Sequence, residues 1–174
     1  NLPYKSILEP LLGNVMLDLS GTISTKTTQK DRTPFIANDG TKVAPIICYE
    51  SVYGEYVNGF VHNGAQFLAI ITNDAWWNET QGHKQHLTFA SLRAIETRRD
   101  IARSANTGIS AFINQKGEII SRTKYGEKTA LKGNVHLNSK MTFYVFSGDY
   151  IAYLATFFLS LFCGYILIKK RSVI

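Results

Sequence analysis

Residues 43–50 read Val43-Ala44-Pro45-Ile46-Ile47-Cys48-Tyr49-Glu50, a short apolar run that ends in a thiol, a phenol and a carboxylate. A run this brief between polar flanks predicts a buried strand over 43–48. The same pattern returns at Phe67-Leu68-Ala69-Ile70-Ile71-Thr72. Between the two, Val52, Tyr56, Val57 and Phe60 have helical spacing and predict a helix over 51–62, stopping near Asn63-Gly64. A polar, aromatic loop, Asn73 to Gly82, follows the second strand. A helix is then expected over 83–99, with Leu87, Ser91, Ala94 and Ile95 along one face and Arg93, Glu96 and Arg99 free for charge pairing. Further strands are expected near 101–105 and 109–114. Gln115-Lys116-Gly117-Glu118 reads as a hairpin turn into a strand over 119–123, and 129–137 as a last strand. Upstream, residues 1–14 read as a loop with one helical turn, and 15–39 as exposed strands ending in the Asn38-Asp39-Gly40 turn. Strand, helix, strand, helix and then several strands is the order of an α/β layered sandwich.

Bulk properties bound the rest. At 174 residues and 45% hydrophobic, the chain supports one domain with a real core, plus a tail. It starts at Asn1 with no charged segment leading into a short apolar run, so it reads as part of a longer protein without a signal peptide. The net charge of +6 comes from scattered Lys and Arg, which suits a solvated surface or anionic lipid headgroups; no nucleic-acid partner is expected. The two cysteines, Cys48 and Cys163, stand in unlike settings, which argues against a disulfide, and neither has zinc-finger spacing to a partner.

Tyr150 to Ile168, YIAYLATFFLSLFCGYILI, carries no charge and is followed by Lys169-Lys170-Arg171. As a helix it would span about 28 Å, close to the hydrocarbon thickness of a bilayer. A transmembrane helix is therefore expected, with Tyr150 and Tyr153 at one interface and the basic cluster on the cytoplasmic side. Cys163, deep in this run, reads as a small packing residue. The organisation expected is a soluble domain over 1–148, the membrane helix over 149–171 and a cytoplasmic tail over 172–174.

Cys48 and Glu50 fall at the carboxyl end of a buried strand, where α/β sheets present their ligand crevice. A thiolate there attacks carbonyl carbon if a base or positive charge activates it, and the thioester formed passes to a second nucleophile. Spacing alone is weak evidence for this, since a Cys that ends a core strand is usually inert packing. Glu50 suits either orientation of an incoming group or a strand-end salt bridge, and Tyr49 either a pocket wall or packing. Asn73, Trp76 and Trp77 follow the second strand and so share the rim with Cys48; adjacent Trp residues cradle acyl chains, sit at headgroup level or simply pack the loop. His83 and His86 share a helix face, but no metal site is expected from them, and Arg93 with Glu96 reads as a brace.

PIICYE at 45–50, GAQFLAIITNDAWW at 64–77 and QHLTFASLRAIETRRDIARSANTGISAFINQKGEI at 85–119 together resemble the nitrilase superfamily, and more closely its membrane-bound branch, the apolipoprotein N-acyltransferases. The likeness runs from about residue 43 to residue 138 and extends into the apolar tail. It implies an α-β-β-α sandwich, here in part, and a set of Glu base, oxyanion-binding Lys and Cys nucleophile. Cys48 matches the Cys. No residue of 1–42 matches the Glu or the Lys, so the chain by itself is expected to be inactive. The resemblance makes Cys48, Tyr49 and Glu50 candidates for catalysis, and Asn73, Trp76, Trp77 and Thr107 of Asn106-Thr107-Gly108 candidates for substrate binding. It implies no metal and no cofactor. The activity implied is acyl transfer from membrane phospholipid, through a thioester on Cys48, to the N-terminal amine of a diacylated apolipoprotein. The place implied is the bacterial inner membrane, with the catalytic part periplasmic. A membrane-anchored amidase hydrolysing a C–N bond, and a tethered binding module in which Cys48 is structural, are the rivals.

Overall fold

The computed structural model describes residues 29–171, without the side chains of 167, 170 and 171. The chain divides into two compact units, Asn1–Lys30 and Asp31–Ile174, and the elements below lie in the second. The loop expected over 1–14, the strands expected over 15–28 and the tail 172–174 lie outside the described residues.

Six strands form one mixed sheet in sequence order: β1 (Phe35–Ile36), β2 (Lys42–Ile47), β3 (Phe67–Thr72), β4 (Ile101–Ala105), β5 (Ala111–Ile113) and β6 (Ile119–Arg122). β2, β3 and β4 run parallel, and β1, β5 and β6 are antiparallel to their neighbours. Helices α1 (Gly54–His62) and α2 (Gln81–Thr97) make the two crossovers. The short helix α3 (Phe143–Ser147) and the long helix α4 (Tyr150–Arg171) follow.

Register explains which face is the core. Ala44 pairs with Leu68, Ile46 with Ile70, and Leu68 with Ile101, so alternate residues of three strands point one way. On that face they meet Val57, Phe60 and Val61 of α1 and Leu87, Ala90 and Ala94 of α2, all buried. The opposite face keeps Ile47 and Ile71 more than half exposed. Among the described residues there is therefore one sheet covered by helices on one face, rather than the two sheets of a complete sandwich.

Several boundaries differ from the sequence expectation. Strand β2 stops at Ile47, and Cys48 instead opens a 3-10 turn, Cys48–Val52, with φ of 51°. The turn consumes the residues expected to begin α1, which starts at Gly54. Helix α2 buries His83, His86, Leu87, Ala90, Arg93, Ala94 and Thr97, while Ile95 faces outward. Polar side chains on the core side rotate the buried stripe away from a purely apolar reading. Arg99 does not join a charge pair: its buried guanidinium donates to the carbonyls of Ala65, Thr97 and Lys140. No strand forms over 129–137, because the backbone there finds partners outside any ladder: His136 N donates to Asp100 Oδ2 and Asn138 N to Gln66 O. The turn at Asn38-Asp39-Gly40 and the hairpin at Asn114–Glu118 form as expected.

Helix α4 begins at Tyr150, where the apolar run begins. Its large side chains are exposed all round, from Ile151 and Leu154 to Phe158, Phe162 and Ile166. Cys163 is likewise exposed, and not packed as the sequence suggested. Among the residues whose side chains are described, no helix is long and apolar enough to cross a membrane; in α4 that description is interrupted at residue 167.

Candidate active site

The site grows from the turn that follows β2. A non-glycine residue at positive φ is held only where its surroundings over-determine it, at a cost of about 1–3 kcal/mol. Cys48 is such a residue, and the bonds that hold it are explicit. On the outer side, Glu50 folds back so that its Oε2 accepts from Ile47 N at 2.8 Å, while Tyr56 Oη donates to Oε1 at 2.8 Å. Burial, this hydrogen bond and the Glu50 charge push the Tyr56 hydroxyl up to about 12, which keeps it a donor. Glu50 thus braces the turn by hydrogen bonds, and among the described residues it joins no salt bridge.

On the inner side the support comes from distant parts of the sequence. Ser51 Oγ donates to the Cys48 carbonyl at 2.9 Å, and His86 Nε2 lies 3.1 Å from Ser51 Oγ and 3.2 Å from the same carbonyl. His86 Nδ1 is 2.9 Å from Asp74 Oδ1; a carboxylate only accepts, so Nδ1 carries the proton. Arg103 Nη2 donates to Asp74 Oδ2 at 2.7 Å. Thr72 Oγ1 is within donating range of both Asp74 Oδ1, at 2.9 Å, and Cys48 Sγ, at 3.2 Å. Burial pushes the Asp74 carboxyl up, but the hydrogen bonds from His86, Arg103 and Thr72 and the Arg103 charge prevail and hold it at about 2. All five supporting residues are buried, Asp74 completely.

The loop over Asp74 completes this floor. Asp74 N donates to Thr107 O at 2.7 Å, so Thr107 joins the site through its backbone. Next to it, Gly108 has φ of 137°, and a Cβ there would lie 2.7 Å from Asp74 Oδ2. Only glycine admits this approach.

Above the floor is an aromatic rim. Tyr49, half exposed, meets Tyr53 edge to face at 6.0 Å and lies 6.5 Å from the Trp77 ring. Trp77 in turn packs on His86 at 5.3 Å, while Trp76 is 82% exposed. Asn73 Oδ1 accepts from Ala75 N and shapes the turn that presents both Trp residues. Cys48, Tyr49, Trp77 and the backbone of Thr107 are thereby gathered around one point. His83 is not: it hydrogen-bonds Asn78 O and stacks on Tyr125, beside a groove of about 440 Å³ between α2 and β6 that does not include Cys48. The two histidines of the helix face therefore do not converge on a common ion. Arg93 and Glu96 form the expected brace, 3.2 Å apart and largely buried.

Ser51, Thr72, Asp74, His86 and Arg103 escape a reading of the sequence by apolar periodicity. The available signal was inverse: polar residues at positions whose neighbours fix them on the core face.

Comparison with known proteins follows the same lines. The carbon-nitrogen hydrolase family model matches residues 5–140. A Chlorobaculum tepidum protein named apolipoprotein N-acyltransferase is 37% identical over 86% of this chain and 28% of its own length. A Photobacterium profundum protein of the same name is 30% identical over 98% of this chain and 32% of its own. The chain thus spans about a third of the length of the curated relatives it matches. Among solved structures, a carbon-nitrogen hydrolase from Helicobacter pylori G27 superposes with a TM-score of 0.53 at 14% identity, covering 59% of this chain and 43% of that one, a likeness of fold. On the family match and the mixed α/β sheet alike, the chain belongs to the carbon-nitrogen hydrolase family.

Proposed function

We propose that Cys48 is the nucleophile of a membrane-bound N-acyltransferase that moves a fatty acyl chain from phospholipid to the N-terminal amine of a diacylated apolipoprotein. The observation that carries this reading is the strained turn at Cys48, which stands beneath an exposed aromatic rim. The names borne by the relatives supply the substrates. In the first step Cys48 Sγ attacks the ester carbonyl; the S–C bond forms, the C–O bond breaks and the glycerol oxygen leaves with a proton as lysophospholipid. In the second, the amine nitrogen attacks the thioester carbonyl; the N–C bond forms, the S–C bond breaks and the proton lost by the amine restores the thiol. Both substrates are lipid-anchored, so the chemistry belongs at a bilayer surface.

Three features suit that place. The uncharged sequence run Tyr150 to Ile168, about 28 Å as a helix, supports a C-terminal membrane anchor. The run is followed by Lys169-Lys170-Arg171, which supports a cytoplasmic C-terminus and a periplasmic body. Trp76, Tyr49 and Tyr53 form a surface for acyl chains, with Trp77 as its backing. Glu50 acts by fixing the turn, Asn73 by shaping the Trp loop and Thr107 by holding Asp74. The Glu base and the Lys that the resemblance implies have no match in this chain.

The test uses the full-length protein in phospholipid vesicles. Mass spectrometry is expected to find an acyl adduct on Cys48, absent from Cys48→Ser, which passes to a diacylated lipopeptide. Neither adduct nor transfer in the wild type would sink the proposal. An adduct that decays to free fatty acid while the peptide stays unmodified would instead favour a hydrolase.

A further inference from the structure

The floor under Cys48 touches the nucleophile at both ends. Thr72 reaches the sulfur, Ser51 and His86 reach the carbonyl, and Asp74 joins the two arms through its contacts with Thr72 and His86. Arg103 anchors the hub from β4 with its charge. The connections are made by four separate elements: the turn after β2, the end of β3, α2 and β4.

One proton decides what the floor does. The Thr72 hydroxyl has a single hydrogen but two acceptors in range, Cys48 Sγ and Asp74 Oδ1. Asp74 does not depend on it, having donors in His86 and Arg103. When the thiol ionises, the Thr72 proton therefore turns to the sulfur without stranding the carboxylate. A buried hydroxyl beside a weakly solvated thiolate supplies a charge-assisted hydrogen bond that water otherwise provides.

We infer that Thr72 and Asp74 are positioning residues of the reaction: Thr72 donates to the Cys48 thiolate, and Asp74 keeps Thr72, His86 and Ser51 aligned so that the strained turn holds its reactive form. The inference rests on the reading of Cys48 as nucleophile, but not on which acyl donor it meets. The charged and titratable groups around this turn are Tyr49 and Glu50 on the turn itself, with Glu50 bound to Ile47 N and Tyr56, and Asp74 after β3, His86 on α2 and Arg103 on β4 in the floor. Thr72 is uncharged and reaches the sulfur itself, so its removal reads the hydrogen bond without changing a charge.

Iodoacetamide alkylation of Cys48 as a function of pH, resolved by peptide mass spectrometry on the full-length protein in detergent, tests this without any lipid substrate. Thr72→Val is expected to raise the midpoint of the alkylation profile by about 1–2 pH units and to slow alkylation at neutral pH about ten- to a hundredfold, the usual value of a hydrogen bond to a charged group. Thr72→Ser restores the midpoint. Ser51→Ala, which frees the carbonyl end, is expected to lower the plateau rate while leaving the midpoint in place. Coincident profiles for Thr72→Val and wild type, in proteins with matching thermal unfolding, overturn the inference. If Thr72→Val does not fold, an unshifted midpoint in Thr72→Ala, which also removes the hydroxyl without changing a charge, does the same. Loss of acyl transfer with normal alkylation profiles would count against the proposed substrates instead.

Discussion

The two sides of Cys48 are built on opposite principles. Beneath it, Thr72, Asp74, His86, Ser51 and Arg103 are buried, polar and bound to one another. Above it, Tyr49, Tyr53 and Trp76 are aromatic and open, and touch mainly other rings or nothing. A polar group is costly to bury unless satisfied, so the lower side is stable only as a complete set and resists change. Exposed rings carry no such condition. The contrast separates what fixes the nucleophile from what is left to meet a substrate.

Removing the hub tests that contrast most severely. Asp74→Ala leaves Arg103 buried without its carboxylate and is expected to cost about 3–5 kcal/mol in chemical denaturation of the full-length protein; a cost below 1 kcal/mol would mean the floor does not act as a unit. The same hub gives a pH signature. The Asp74 carboxyl is held at about 2 in the fold against 3.8 for the free group, so the unfolded chain takes up the proton first. Its stabilisation is therefore complete above about pH 4 and disappears as pH falls from there towards 2, and Asp74→Asn flattens that part of an acid titration followed by circular dichroism.

Next in size is Gly108→Ala. Its Cβ would collide with the Asp74 carboxylate at a φ that favours glycine, for an expected loss of about 1–3 kcal/mol by the same denaturation measurement. Tyr56→Phe deletes one donor to Glu50 on the outer brace and is expected to cost about 1 kcal/mol. On the rim, Trp76→Ala should change stability by less than about 0.5 kcal/mol while weakening co-sedimentation with phospholipid vesicles of a form lacking α4; equal loss of stability at Trp76 and Gly108 would erase the distinction between the two sides.

Strands β2 and β3 were legible in the sequence because Val43–Ile47 and Phe67–Thr72 are too short and too apolar for anything else. The hairpin at Asn114–Glu118 was legible because Gly117 supplies the turn conformation. The expected strand over 129–137 failed for the complementary reason: alternation was present, but the backbone partners had already been taken by Asp100 and Gln66, far away in sequence. Helix α2 was legible as a helix but not in its burial. Ile95 looks like core until His86 and Arg93 are seen to claim that side.

The sequence by itself determined β2, β3, the hairpin at Asn114–Glu118 and the existence of α1 and α2, together with the candidate thiol and the apolar run from Tyr150, since each depends on residues adjacent in the chain. It also carried the family likeness. Only the tertiary structure decided that Cys48 leaves the strand at positive φ, that Glu50 braces the turn, and that Asp74 stands at the centre. The central place of Asp74 depends on its hydrogen bonds with Thr72, His86 and Arg103, whose sequence separations carry no periodic signal. A buried polar group is satisfied by whatever the fold brings to it, and the fold is settled mainly by the apolar residues around it.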